Sequence, residues 1–287
     1  MKNLARAFLD LDKRDFAVLR GVEKGMRRHD WVPLDNVVRI SGLTHKAAER
    51  RLRTLAEKKL VYWTPDPYVG YQIGFNAYDL VALGTLVDRD IVRNLGDLIG
   101  VGKESVVYEA LGDEPLVIKF HREGMTSFKH VRRVRDHLKD VPRCAWILAA
   151  RLAARKEFQV LSGLYPIVTV PRPVGLSHHA LVLERLNGVE LYKIDLLNPK
   201  ECLDIVLEEV ASAWRLGFVH ADLSEYNVFI RDDQVVIIDW PQAVHRSHPR
   251  ARELLERDLA NLINYFKRSY RIDMTLEDAL GTVMGNK

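Results

Sequence analysis

The stretch His220-Ala221-Asp222-Leu223-Ser224-Glu225-Tyr226-Asn227, with Ile237-Ile238-Asp239-Trp240 just downstream, constrains this chain more than any other. It sets an Asp, an Asn five residues later and a second Asp twelve after that, at the edges of short apolar runs. Val228-Phe229-Ile230 and Val235-Val236-Ile237-Ile238 read as two strands joined by the polar turn Arg231-Asp232-Asp233-Gln234. Such a hairpin carries Asn227 at its start and Asp239 at its end, on the same side. Asp222, Asn227 and Asp239 then converge, as phosphoryl transfer requires. One carboxylate accepts or orients a hydroxyl proton, while an amide and the other carboxylate hold Mg²⁺ against the phosphates. Each residue alone would read as a turn cap; the spacing of all three carries the chemistry.

Upstream lie the parts that complete such a site. Gly100-Val101-Gly102-Lys103-Glu104-Ser105 precedes Val106-Val107-Tyr108-Glu109-Ala110, a glycine loop feeding a strand. Dinucleotide and Walker loops both run into helices instead, and Glu104 stands where a Walker loop needs Ser or Thr. The glycines let the backbone approach phosphates, with Lys103 and Ser105 adding polar contacts. Pro115-Leu116-Val117-Ile118-Lys119-Phe120 is the next strand, and Lys119 on it is the expected phosphate-pairing lysine. Its partner should be a Glu on a following helix. Glu157, in the helical stretch Arg151 to Leu161, is favoured over Glu123. Ile167 to Val174 and Ala180 to Glu184 read as two further strands, and Glu184-Arg185-Leu186-Asn187-Gly188 as a hinge whose backbone groups at Glu184 and Leu186 read adenine. The ATP-binding set is therefore Gly100, Val101, Gly102, Lys103, Glu104, Ser105, Val106, Lys119, Glu157, Glu184 and Leu186.

From Gly100 to Asp239 the chain resembles the RIO-type atypical serine/threonine protein kinases. Gly100-Val101-Gly102-Lys103-Glu104-Ser105, Val117-Ile118-Lys119, His220-Ala221-Asp222 and Ile238-Asp239-Trp240-Pro241-Gln242 carry that resemblance, where ordinary kinases would show His-Arg-Asp and Asp-Phe-Gly at the last two. The N-terminal part is similar to the winged-helix branch of that family (RIO kinase 2 type). The resemblance implies that His220 orients the catalytic turn and that His121 to Ala145 covers the nucleotide. Thr126 and Ser127 are the hydroxyls of that segment, and Ser127 is the expected site of self-phosphorylation. It also allows an aspartyl-phosphate at Asp239 during ATP turnover. ATP and Mg²⁺ are the implied cofactors, Mn²⁺ an alternative metal. Only 48 residues follow Asp239 and no Ala-Pro-Glu motif appears, so the usual peptide platform is missing. ATP hydrolysis or self-phosphorylation is therefore favoured over a true protein serine kinase with a separate substrate. A winged-helix DNA-binding regulator with a silent nucleotide-sensing domain is the other rival.

The N-terminal part has its own pattern. Asp15 reads as the N-cap of a helix with Phe16, Leu19, Val22 and Met26 along one face. A short helix from Leu34, a turn at Ser41-Gly42-Leu43 and a longer helix capped by Thr44 give helix-turn-helix, with Val61 to Trp63 and Tyr71 to Phe75 as the strands of a wing. Residues 1–95 carry 17 Lys and Arg against 12 Asp and Glu, a balance of +5, whereas 96–287 carry 26 against 27. The basic excess points to nucleic acid here, with Lys46, Arg50, Arg51 and Arg53 as contacts. By resemblance, the partner is the pre-ribosomal small subunit or its RNA.

The expected fold is α+β: a winged helix-turn-helix at 1–83, a connecting helix at 84–95 and a minimal two-lobed kinase-like domain at 96–287, with lobes at about 96–184 and 187–287. No signal peptide or apolar stretch of spanning length is read. With Cys144 and Cys202 as the two cysteines, a cytoplasmic protein with buried thiols is expected.

Overall fold

The computed structural model describes residues 4–122, 145–231 and 234–285. Thr126, Ser127, Glu123, Cys144 and the turn residues Asp232 and Asp233 lie outside the described residues. Two compact units form: Met1–Ala154 with Gly175–Val182, and Arg155–Val174 with Leu183–Lys287.

In the first unit, α1 (Leu4–Leu9) and α2 (Lys13–Gly25) precede α3 (Leu34–Ser41) and α4 (His45–Glu57). Asp12, rather than Asp15, is the N-cap of α2. Asp12 accepts from the Arg14 and Asp15 backbone N–H groups, and Asp15 returns a bond to the Asp12 N–H. Asp15 is thus the third-position half of a capping box, a pattern in which either acid can look like the cap from sequence. Gly42, at φ +71°, closes α3, and Thr44 caps α4 by accepting from Ala47 N–H. Val32–Pro33 is β1; β2 (Val61–Thr64) and β3 (Gly70–Ile73) pair antiparallel with Trp63 opposite Tyr71, giving the sheet order β1-β3-β2. Val18, Leu19, Val22, Val37, Leu52 and Leu55 form its core. Helix α5 (Phe75–Asp88) follows, buried from Ala77 to Gly84.

The same unit continues into β4 (Asn94–Val101), β5 (Ser105–Leu111) and β6 (Pro115–His121). With β7 (Pro173–Ser177) and β8 (Ala180–Glu184), they form a five-stranded sheet in the order β4-β5-β6-β8-β7. Tyr108, Ile118 and Phe120 are buried on its core side. The expected strand from Ile167 is shorter than read, because only Pro173–Ser177 pairs. Pro171 and Pro173 have no N–H to give a ladder, and Thr169 N–H bonds the Glu209 carboxylate at 2.7 Å instead.

Helix α6 (Ala145–Leu164) leads into the second unit, which adds β9 (Val189–Glu190), α7 (Pro199–Arg215) and the short strand β10 (Phe218–Val219). Strands β11 (Val228–Arg231) and β12 (Gln234–Ile237) form the expected hairpin, with Val228 opposite Ile237. A short strand β13 (Val244–His245) and helices α8 (Ala251–Tyr270) and α9 (Leu276–Met284) close the chain. Cys202, on α7, is buried, which pushes its thiol up to about 11. No helix among the described residues is long and apolar enough to cross a membrane.

Candidate active site

The second unit holds Asp222, Asn227 and Asp239 within one hydrogen-bonded frame. Asn227 is one residue before the β11–β12 pairing begins, and its carbonyl accepts the Ile238 N–H at 3.0 Å. That bond fixes Asp239 one residue past the opposite strand. Asn227 Nδ2 also donates to the Asp222 carbonyl at 2.9 Å. The amide so oriented offers its Oδ1 to a cation. Asp222 and Asp239 are exposed, whereas Ala221 and Leu223 on either side of Asp222, and Trp240 after Asp239, are buried. The two carboxylates therefore project from a buried base.

That base has identifiable supports. Asp258 on α8 accepts the N–H groups of Ala221 at 2.7 Å and Leu223 at 3.1 Å, bracketing Asp222. Arg257 donates to the Ala221 carbonyl, and Asn261 to that of Leu223 at 3.1 Å. One helix face thus grips both ends of the turn, holding Ala221 at φ +64°, a conformation a non-glycine residue does not adopt unforced. Burial pushes the Asp258 carboxyl up to about 6, against the two backbone donors that pull it down. Asp239 is likewise left-handed, at φ +67°. Behind it, Trp240 N–H donates to Glu157 Oε1 at 3.1 Å and Trp240 Nε1 to the Ile237 carbonyl at 3.0 Å. His220 Nε2 meets the Ile238 carbonyl at 2.9 Å, so that nitrogen carries the proton. Burial holds His220 below its usual pKa, and its ring packs 4.6 Å from that of Trp240. This neutral, buried imidazole links the two catalytic turns and fits a structural role.

In the first unit the strand register places Lys119. Gly100 lies opposite Val107 and Val107 opposite Lys119, so the glycine, the valine and the lysine make one cross-strand row. Lys119 is only 7% exposed. Between β4 and β5, Gly102 N–H donates to the Ser105 carbonyl at 2.9 Å, closing a turn over Lys103 and Glu104. A Cβ at Gly100 or Gly102 would meet nothing closer than 3.6 Å. Space alone therefore does not require glycine at either place. Glu157 and Lys119 fall in different units; within its own unit Glu157 accepts from Trp240 N–H at 3.1 Å. At the hinge, Glu184 N–H is bonded to the Arg172 carbonyl at 3.0 Å.

Asn227 Oδ1 and the Asp239 carboxylate are hard oxygen donors of the kind Mg²⁺ takes, with phosphates and water completing its shell. Among the described residues no group of three or more His, Cys, Asp and Glu could hold a metal.

Sequence reasoning missed Asp258, Arg257, Asn261 and Glu209. The signal for Asp258 was present: an acid on the apolar face of α8, between Leu255, Leu259 and Leu262. In the winged helix, Lys46, Arg50 and Arg53 are exposed. Arg51 instead pairs with both capping carboxylates, Asp12 and Asp15, at 2.7 Å each.

A winged helix followed by a minimal kinase-like fold, with an Asp, Asn and Asp set on paired turns, defines a phosphotransferase of the atypical protein-kinase class. Residues 106–279 match the RIO domain model and residues 8–89 the Rio2 N-terminal model. The RIO-type serine/threonine-protein kinase Rio2 of Methanocaldococcus jannaschii is 39% identical over 257 residues, covering 86% of this chain and 94% of that protein. Serine/threonine-protein kinase RIO2 of Saccharomyces cerevisiae is 35% identical, over 90% of this chain and 64% of its own length. A crystal structure of the Rio2 kinase–ADP/Mg²⁺–phosphoaspartate complex from Chaetomium thermophilum superposes with TM-score 0.86 at 29% identity, covering 97% of this chain and 88% of that one. The chain belongs to the RIO family of serine/threonine-protein kinases, in its Rio2 branch.

Proposed function

We propose that this kinase turns over ATP through a phosphorylated Asp239, alongside self-phosphorylation, and serves as an ATP-driven switch in maturation of the small ribosomal subunit. One observation carries the chemistry: Asp222 and Asp239 are exposed on turns locked by buried groups, with Asn227 bonded to both turns. The ADP/Mg²⁺–phosphoaspartate state of the Chaetomium thermophilum Rio2 kinase supports the same reading.

Lys119 and the backbone from Gly100 to Ser105 hold the phosphates, and the Glu184 carbonyl with the Leu186 N–H reads adenine. Asn227 Oδ1 and Asp239 hold Mg²⁺, which neutralises charge developing on the phosphates. An Asp239 oxygen attacks the γ-phosphorus as the bond to the β,γ-bridging oxygen breaks, releasing ADP. Water then attacks the acyl phosphate, losing its proton to solvent, and returns free carboxylate and inorganic phosphate. Asp222 orients the attacking group: water in this route, a serine hydroxyl such as that of Ser127 in self-phosphorylation.

The test is acid-quenched protein after incubation with γ-labelled ATP and Mg²⁺. Label released by hydroxylamine and lost in Asp239→Asn supports the acyl phosphate. Label that is wholly hydroxylamine-resistant overturns it. Label passing to added protein fractions would instead mark a separate protein substrate.

The winged helix is the RNA-binding part in this proposal, through Lys46, Arg50 and Arg53. Co-sedimentation with small ribosomal subunits, with and without ATP, tests it; ATP-independent absence from the subunit fraction removes the partner.

A further inference from the structure

A second buried polar cluster lies in the first unit, away from the catalytic turns. Arg122, one residue past β6, sets both guanidinium Nη atoms on the Asp79 carboxylate of α5, the contact through Nη1 measuring 2.6 Å. His179, on the turn between β7 and β8, brings Nε2 to 2.8 Å from Asp79 Oδ1 and 3.1 Å from Arg122 Nη1. Asp79 is 1% exposed, His179 0% and Arg122 8%. The Phe75 ring covers the guanidinium at 4.7 Å, and Tyr78 stacks on His179 at 4.1 Å.

The burial is costly, since charges removed from water need good partners to break even and an apolar trio would serve packing as well. The placement of its backbone explains what the cluster adds. Arg122 N–H donates to the Glu104 carbonyl at 2.6 Å, inside the turn over the predicted phosphate site. His121 N–H donates to the His179 carbonyl at 2.9 Å, and His121 pairs across the sheet with Ser105. The strand end carrying Lys119 and the turn carrying Lys103 and Glu104 are both tied to residues that the cluster immobilises. Asp79 belongs to the segment matched by the Rio2 N-terminal model.

We propose that Asp79, through Arg122 and His179, is a positioning residue for the phosphate turn, so that helix α5 of the N-terminal part sets the enzyme's affinity for nucleotide. This rests on the reading of residues 100–106 and Lys119 as the phosphate site. Loosening the cluster frees Glu104 and its neighbours and weakens ATP binding, while Asp222, Asn227 and Asp239 keep their own supports.

The experiment compares four full-length proteins in ATP turnover, thermal melting and hydrogen exchange of the segment 100–106: the parent, Asp79→Asn, Leu52→Ala and Lys119→Met. Leu52 is a core residue of α4, so its truncation lowers stability in the same unit without touching the cluster. The expected result is a rise of roughly fivefold or more in KM for ATP in Asp79→Asn, with kcat within about twofold and faster exchange at 100–106. Leu52→Ala should melt earlier with KM unchanged. An unchanged KM in Asp79→Asn, or an equal rise in Leu52→Ala, overturns the proposal. If Lys119→Met also leaves KM unchanged, it is the phosphate-site reading that has failed. Should Asp79→Asn not fold, Asp79→Asn/Arg122→Gln, which leaves no arginine charge buried, carries the same comparison with the same outcomes.

Discussion

Asp258→Asn separates stability from catalysis in this fold. Asp258 is 1% exposed and accepts from two N–H groups that bracket Asp222. Its carboxyl stands at about 6 against an ordinary 3.8. Because folding raises this pKa, the protonated form stabilises the native state. That contribution is full below about pH 4 and is lost as pH climbs through about 6. Applying the linkage relation to those two values, about 2 kcal/mol disappears between pH 4.5 and 7.5. Asn cannot titrate, so the stability of the parent relative to the variant should fall by about that amount over the same range. At low pH the protonated acid and the amide each offer one carbonyl oxygen to the two N–H groups, so the two proteins should melt within about 1 kcal/mol of each other; at pH 7.5 the variant should be the more stable by about 2 kcal/mol. Activity should not be so forgiving. The Asn oxygen can hold Ala221 or Leu223 but not both, and a turn displaced by about 1 Å costs on the order of 10²-fold in turnover. Denaturant unfolding at pH 4.5, 6 and 7.5, beside phosphate release from ATP at pH 7.5, measures both. A kcat within twofold of the parent, or a gap that does not move with pH, refutes the argument.

Three further outcomes are expected. Arg51→Ala should lower stability by about 1 kcal/mol by stripping the Asp12–Asp15 capping box of its cation, whereas Arg50→Ala should leave melting unchanged and reduce the salt slope of RNA binding by about 1. Thr169→Val should destabilise by about 1–3 kcal/mol, seen in denaturant midpoints, since it removes the hydroxyl that donates to Glu209 Oε1 at 2.7 Å. His178 is held down to about 3, first by burial and then by nearby arginines. The stability gained by keeping it neutral is present above pH 6.5 and lost as pH falls from there toward about 3. His178→Asn, which tolerates the φ of +55° there, should flatten that acid-side loss in pH-dependent unfolding.

The amino-acid sequence by itself determined the elements that bear the proposed reactive set. The hairpin that sets Asn227 and Asp239 at its two ends was legible because a period-two pattern between fixed polar residues leaves few ways to place them. The strand carrying Lys119 was legible because its apolar run is bounded by polar residues on both sides. Helix-turn-helix and wing followed from Gly42, Thr44 and two short aromatic strands, elements set by local chemistry. Non-local partners were not legible. Whether Arg51 faces solvent or the α2 cap, which acid caps α2, and whether the run from Ile167 pairs as a strand all depended on where other segments lie. Asp258 is the clearest case. Its place on an apolar helix face could be read from the sequence. Only the tertiary structure could bring that face beneath a turn more than thirty residues away, because a buried carboxylate is stable only where the fold delivers donors to it.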